Sequence, residues 1–187
     1  MTKTFIAATA ALLLAGAAQA STVFDVKAYD DSWNGGAGAG LNTGITLTSG
    51  ESFMVSVDPS DLWSAGALPR WSDANGLTHD IYATAGDDSG EAVGTHIGTN
   101  FGGYAGFYYG ELVGQVGNGA YFAIGTSFSG VANASGALKL FYWDSNYADN
   151  SGSVAATVST VPEPGSIALM LAGLGVVGGL ARRRAAR

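Results

Sequence analysis

The chain has no cysteine. Disulfides, zinc–thiolate sites, thiol nucleophiles and thiol redox chemistry are therefore excluded, and stability must come from core burial, with or without a metal. Proline is scarce, at four residues, and histidine scarcer, at two: His79 and His96, in separate turn-rich segments. Neither a Gly-x-Ser-x-Gly elbow nor a His-Glu-x-x-His pair occurs. A glycosidase needs two carboxylates facing one sugar bond, and no pair in the chain stands out for that work. The expectation is a binding module and not an enzyme. Basic residues are also few, and five of the eight lie at the ends. Residues 21–160 keep only Lys27, Arg70 and Lys139 against fourteen acids, a net charge of −11. Such a surface repels phosphate backbones and speaks against nucleic acid as a partner. It suits a protein living among divalent cations, and equally one kept soluble by its charge.

Helical periodicity is missing too: no stretch of 21–160 sustains it over three turns. Short apolar or alternating runs are instead punctuated by Gly, Asn, Asp and Ser. Strands are predicted at 22–28, 44–48, 52–57, 80–85, 94–97, 112–115, 120–124, 138–143 and 153–159, with the clearest alternation at 52–57 and 153–158. Frequent turn signals without long helices point to an all-β fold, an antiparallel β-sandwich of jelly-roll type. The glycine-rich run 34–40 is read as a linker. It is not a phosphate loop, because no Gly-Lys-Ser/Thr and no helix follow it.

The two ends differ from this body. Residues 1–20 combine Lys3, an apolar run over 5–18 and small residues at Ala18-Gln19-Ala20, the layout of a cleaved secretory signal peptide. At the other end, Val161-Pro162-Glu163-Pro164 interrupts secondary structure. An uncharged apolar run at 166–181 follows, then Arg182-Arg183-Arg184. As a helix that run would reach roughly 24 Å, short of a typical hydrocarbon core, with the arginines on the cytoplasmic side. Its glycines lower helix propensity, as in a weak membrane stop. Three domains result: signal peptide 1–20, β domain 21–160 and tail 161–187.

The tail resembles the PEP-CTERM sorting signal of Gram-negative bacteria, in which Pro-Glu-Pro, a short transmembrane helix and an arginine cluster occur in this order at the extreme C-terminus. Pro162, Glu163, Pro164, Arg182, Arg183 and Arg184 carry the match. The resemblance implies export, an inner-membrane-anchored intermediate, recognition by an exosortase, and transfer to the cell surface or extracellular matrix, typically in cells that make exopolysaccharide. A plain tail anchor is the simpler alternative.

Within the body, the densest polar cluster is 143–152, between two predicted strands. Asp144, Asn146, Asp149 and Asn150 place hard oxygen donors within seven positions. Calcium takes six to eight such oxygens at about 2.4 Å. The same residues equally suit a turn whose side chains cap backbone amides; the EF-hand pattern is absent. Trp63, Trp71 and Trp143 are each read as core first and as sugar-stacking platforms second.

Three stretches, 114–125, 135–144 and 147–153, resemble the PA-IL-type galactophilic lectins, small bacterial β-sandwich proteins with a galactose-binding, jelly-roll-like fold. In that family one calcium ion binds two sugar hydroxyls directly. The resemblance implies calcium ligands at Asp144, Asp149 and Asn150, with carbonyls from Gly66 and Asn146. It also implies sugar contacts from Asp144, Ser145, Asp149 and His79. The loop after Asp144 is shorter here than in the lectins, and one family Asn is Asp149. The expectation is an exported, calcium-dependent carbohydrate-binding module, its partner a glycan or exopolysaccharide. The competing expectation is a non-catalytic matrix protein with a purely structural calcium site or none.

Overall fold

The computed structural model describes residues 20–34, 39–98, 106–160 and 164–185. The expected signal peptide (Ala20 apart), the centre of the glycine-rich run, Pro162 and Glu163 lie outside the described residues. Residues Gln19–Val161 make one compact unit, mostly β and antiparallel in every ladder.

Strand β12 (Ser151–Thr160) organises the larger sheet. One edge pairs with β1 (Ala20–Lys27) along the full length of β1. The other edge is shared between two partners. Residues Thr157 to Thr160 pair with β3 (Ser52–Ser56), while Ser151 and Gly152 pair with β4 (Trp63–Ser64). Beyond β4 lies β5 (Trp71–Ser72), and beyond β3 lies β10 (Ser127–Val131). The second sheet runs β2 (Leu41–Leu47), β11 (Gly136–Tyr142), β8 (Leu112–Val116), β9 (Phe122–Ala123). A separate ribbon pairs β6 (Ile81–Tyr82) with β7 (His96–Gly98).

Side-chain alternation explains the packing. Val154, Ala156 and Val158 of β12 are buried along one face, as are Phe53 and Val55 of β3, while Met54 and Ser56 face out. They join Leu47, Leu112, Val116, Leu138, Leu140 and Tyr142 of the second sheet in one core. Burial of branched and aromatic surface from both sheets replaces the staples that cysteine would have given.

All nine predicted strands exist, with moved boundaries: 80–85 shrinks to Ile81–Tyr82, and 94–97 shifts to His96–Gly98. Three were not foreseen. β4 and β5 have two residues each, too short for periodicity to register, and β10 reads Ser-Phe-Ser-Gly-Val, with Phe128 its one strong apolar signal.

Glu111 joins the loop before β8 to the second sheet: its backbone bridges Asn75, and its carboxylate accepts the Tyr108 amide at 2.8 Å. Burial pushes this carboxyl above the usual glutamate value, against the lowering by that amide. An acid whose folded pKa is raised holds its proton longer when folded. Stability is therefore greatest below the unfolded pKa and falls as pH rises through the folded one. Glu111→Gln keeps an acceptor without the charge. It should raise the melting temperature at pH 7, and the gain should close below the carboxylate range when both proteins are melted across pH 3–7.

Candidate functional site

The loop 144–150 leaves the end of β11 and enters β12, so its position is fixed at both ends. Across from it stands the β4–β5 hairpin, tied to the start of β12 by the pairs Ser64 with Ser151 and Trp63 with Gly152. The Ser64 and Ser151 hydroxyls lie 3.0 Å apart. Trp63 anchors this hairpin: it is fully buried, its indole N–H donates to the Gly110 carbonyl at 2.8 Å, and its ring meets Tyr142 edge-on at 4.7 Å. The turn 65–70 then closes through Ala65 N–H to Arg70 C=O (3.1 Å) and Arg70 N–H to Ala67 C=O (2.9 Å).

A hollow of about 210 Å³ opens between loop and hairpin. Asp144, Asn146 and Asp149 line it from one side, Ala65 and Arg70 from the other, and Tyr109 forms part of the wall. Gly66, at φ +116°, is pressed against the same place: a Cβ there would fall 2.8 Å from Asp149 Oδ2 and 2.5 Å from Arg70 Nη2. The structure thus brings Asp144, Asn146 and Asp149 together with Gly66, which lies 78 to 83 residues earlier in the chain. Asn150 sits behind them, buried. Its Nδ2 donates to the Ala28 carbonyl at 3.3 Å, while its Oδ1 is buried without a hydrogen-bond partner. Ser145 stands at the wall, its hydroxyl 3.4 Å from the Tyr109 phenol oxygen. His79 is exposed in the segment before β6 and does not line the hollow.

Part of the loop's polarity serves the loop itself. Asp144 Oδ1 accepts the Asn146 amide at 3.1 Å, and Asn146 Oδ1 accepts the Ala148 amide at 3.3 Å, two successive Asx turns. Burial raises the Asp144 pKa; the Asn146 amide and the Asn150 side chain oppose the shift, and the Asp149 charge adds to it. Tyr142, beneath, has its phenol held well above the ordinary value by burial and then by both carboxylates. Its hydroxyl also has no hydrogen-bond partner. Five buried side-chain polar atoms are orphaned among the described residues, and Arg70 Nε, Asn150 Oδ1 and Tyr142 Oη are three of them. Each such orphan calls for an ordered water, an ion or another polar group to answer it.

A calcium ion suits this donor set in kind. Asp144 and Asp149 supply two carboxylates, and Asn150 Oδ1 is a buried acceptor with nothing to accept from. Among the described residues no cluster of three or more His, Cys, Asp or Glu occurs, so an ion here must also draw on amide and carbonyl oxygens, as calcium does. One feature runs the other way. Arg70 Nη1 lies 3.8 Å from Asp149 Oδ2, placing a cation beside the carboxylates. Sequence reasoning missed Arg70, and its only signal was rarity, as one of three basic residues in 21–160. Of the tryptophans, Trp63 and Trp143 are core, whereas Trp71 is 39 % exposed.

In the C-terminal segment, Pro164 opens a helix, Pro164–Ala185, and Arg182, Arg183 and Arg184 fill its last turn, where cations complement the helix dipole. Among the described residues no helix is long and apolar enough to cross a membrane. The expected transmembrane run therefore forms as a helix but does not meet that standard.

Residues 160–185 match the PEP-CTERM protein-sorting motif, which marks proteins exported and sorted to the cell envelope through exosortase processing. No curated protein matches the chain. Among solved structures, the EclA N-terminal domain, a PllA-like lectin, is similar at 21 % identity and a TM-score of 0.47, over 74 % of this chain and 94 % of that one.

The hollow depends on Gly152, at φ +86°, where a Cβ would lie 3.0 Å from the Trp63 Cα. Gly152→Ala should cost about 1–3 kcal/mol and part the hairpin from the loop. Chemical denaturation checks the first effect, and amide exchange at Ser64 and Ser151 the second.

Proposed function

We propose that the β domain is a jelly-roll-like sandwich acting as an exported, calcium-dependent carbohydrate-binding module without turnover. The observation that carries this reading is the convergence of Asp144, Asn146 and Asp149 on one hollow, backed by the buried, unpartnered Asn150 Oδ1. Asp144, Asp149 and Asn150 would hold the ion by side chains, with carbonyls of Gly66 and Asn146. When bound, the ion would supply a Lewis-acid seat for two vicinal sugar hydroxyls. The protein's own part is to fix that seat. The Asx turns hold Asp144 and Asn146 in place, and the hairpin walls off the opposite side. Asp144 and Asp149 can accept hydrogen bonds from sugar hydroxyls, Ser145 and Tyr109 flank them, and the exposed Trp71 offers an apolar face nearby in the hairpin. His79, exposed and outside the hollow, takes no part in this reading. Single sites of this kind are weak, so retention on a polysaccharide would rest on multivalency.

The tail fits the same picture. A glycine-rich helix that falls short of the length and apolarity of a full span suits a transient inner-membrane stop before exosortase processing, followed by delivery to the cell surface or matrix.

A structural matrix protein is the second reading. The Asx turns and the Arg70–Asp149 ion pair favour it, because they already satisfy part of the loop without any guest.

Equilibrium dialysis of the full chain should show one bound calcium. Asp149→Asn should weaken it about tenfold, and Asp144→Asn should weaken it further because its carboxylate is the more buried. Binding to immobilised exopolysaccharide should disappear in chelator. Calcium that raises the melting temperature without any glycan binding would favour the matrix protein, and absence of calcium binding would sink the lectin reading.

A further inference from the structure

We propose that Arg70 makes the hollow selective for acidic sugars, hexuronates, over their neutral counterparts. The inference rests on the calcium-dependent glycan site argued above and names its ligand class.

Arg70 is held in a prepared seat. Its main chain is pinned on both sides within the 65–70 turn by the Ala65 and Ala67 hydrogen bonds. Its stem crosses Gly98, where a Cβ would lie 3.3 Å from Cδ, and its guanidinium rests over Gly66, where a Cβ would lie 2.5 Å from Nη2. Two glycines thus leave the room the side chain occupies, and only 29 % of it is exposed. A long, flexible cation held this way has already lost much of its rotamer freedom before any ligand arrives.

The guanidinium is poorly spent on the protein. Nε is buried with no hydrogen-bond partner, and Nη1 stands 3.8 Å from Asp149, an ion pair beyond hydrogen-bond reach. With Nε buried, the terminal nitrogens Nη1 and Nη2 are the edge of the planar fork left to meet a carboxylate in two-point geometry at the hollow that Arg70 lines.

Charge balance gives the direction of selectivity. Asp144 and Asp149 carry two negative charges, which a divalent ion offsets, leaving Arg70 as an uncompensated positive charge at the wall. A neutral sugar leaves that charge unanswered, whereas a uronate carboxylate answers it. Without the ion the same three groups sum to one negative charge and repel a uronate, so preference for acid is itself gated by calcium. Arg70 also lines a second hollow of about 280 Å³ with Ser89, Glu91, Thr95 and His96.

Titration calorimetry of the full chain with galactose and galacturonate, glucose and glucuronate, and mannose and mannuronate isolates the carboxylate from ring stereochemistry. With saturating calcium, the acidic member of the best-bound pair should bind about tenfold tighter, and the preference should vanish in chelator. Arg70→Gln should collapse the acid-to-neutral ratio and tighten calcium binding, because a competing cation has left the ligands. Arg70→Lys should retain part of the ratio. Equal affinities within every pair in the wild-type protein, which needs no variant to fold, overturn the proposal, as does a preference that survives Arg70→Gln. Calcium-dependent binding of neutral sugars without acid preference defeats the role of Arg70 alone. Failure to bind calcium defeats the underlying site and this inference together.

Discussion

Two residue pairs, Ser64 with Ser151 and Trp63 with Gly152, hold the hairpin 63–72 against the loop 144–150. The rest of the site depends on them. β12 is long enough to serve β3 with its far end and β4 with its near end, so the residues that begin β12 are also those that receive the hairpin. Glycine is needed at 152 because φ is positive and the Trp63 backbone passes where a side chain would stand. Trp63 then locks the hairpin through its indole N–H, shared between the Gly110 and Asp73 carbonyls, and through the Tyr142 ring. From that clamp follow the nearness of Gly66 to Asp149, the reach of Arg70 and the walls of the hollow.

The architecture was legible where burial is one-sided. In 52–57 and 153–158 the side chains alternate between core and solvent, and period two survives in the sequence. It was illegible in β4 and β5, where two residues leave no period, and in β10, where Ser-Phe-Ser-Gly-Val carries little apolar signal. The loop 144–150 was legible as a polar cluster because its oxygen donors are close in sequence, and the structure sets Asp144, Asn146 and Asp149 around one hollow. Its partner across the hollow was not. Gly66 entered only through a resemblance, and Arg70 lies in a segment whose flanking tryptophans drew attention to stacking. The register between β4 and β12 that joins the two segments is a long-range fact with no local signature. His79, a sugar contact implied only by the resemblance, lies exposed and is not among the residues that line the hollow.

The hollow's electrostatics show why burial and pairing must be read together. Asp144 is nearly buried and its proton is held more tightly for that reason, while Asp149 is 46 % exposed and faces Arg70. Removing one carboxylate from water is costly unless something answers it. Backbone amides of the Asx turns answer part of the Asp144 charge, and Arg70 answers part of that on Asp149 at a distance too long for a hydrogen bond. The loop is therefore stable enough to hold its shape, yet each carboxylate keeps acceptor capacity. A fully satisfied network would be a better scaffold and a poorer binding site.

That partial satisfaction also sets the affinity class of the proposed ion. Two carboxylates are few for calcium, one of them is solvent-exposed, and a neighbouring arginine repels the guest. Each factor pushes toward the range of roughly 10⁻⁴–10⁻³ M found for extracellular calcium modules and away from that of cytosolic buffers. A site so weak would stay empty at cytosolic calcium levels and fill only outside. On the proposed reading the sorting motif at 160–185 belongs to the same logic: export would carry the acidic domain to the compartment where its loop could be loaded, and crowding at the envelope would supply the multivalency that a single shallow hollow lacks.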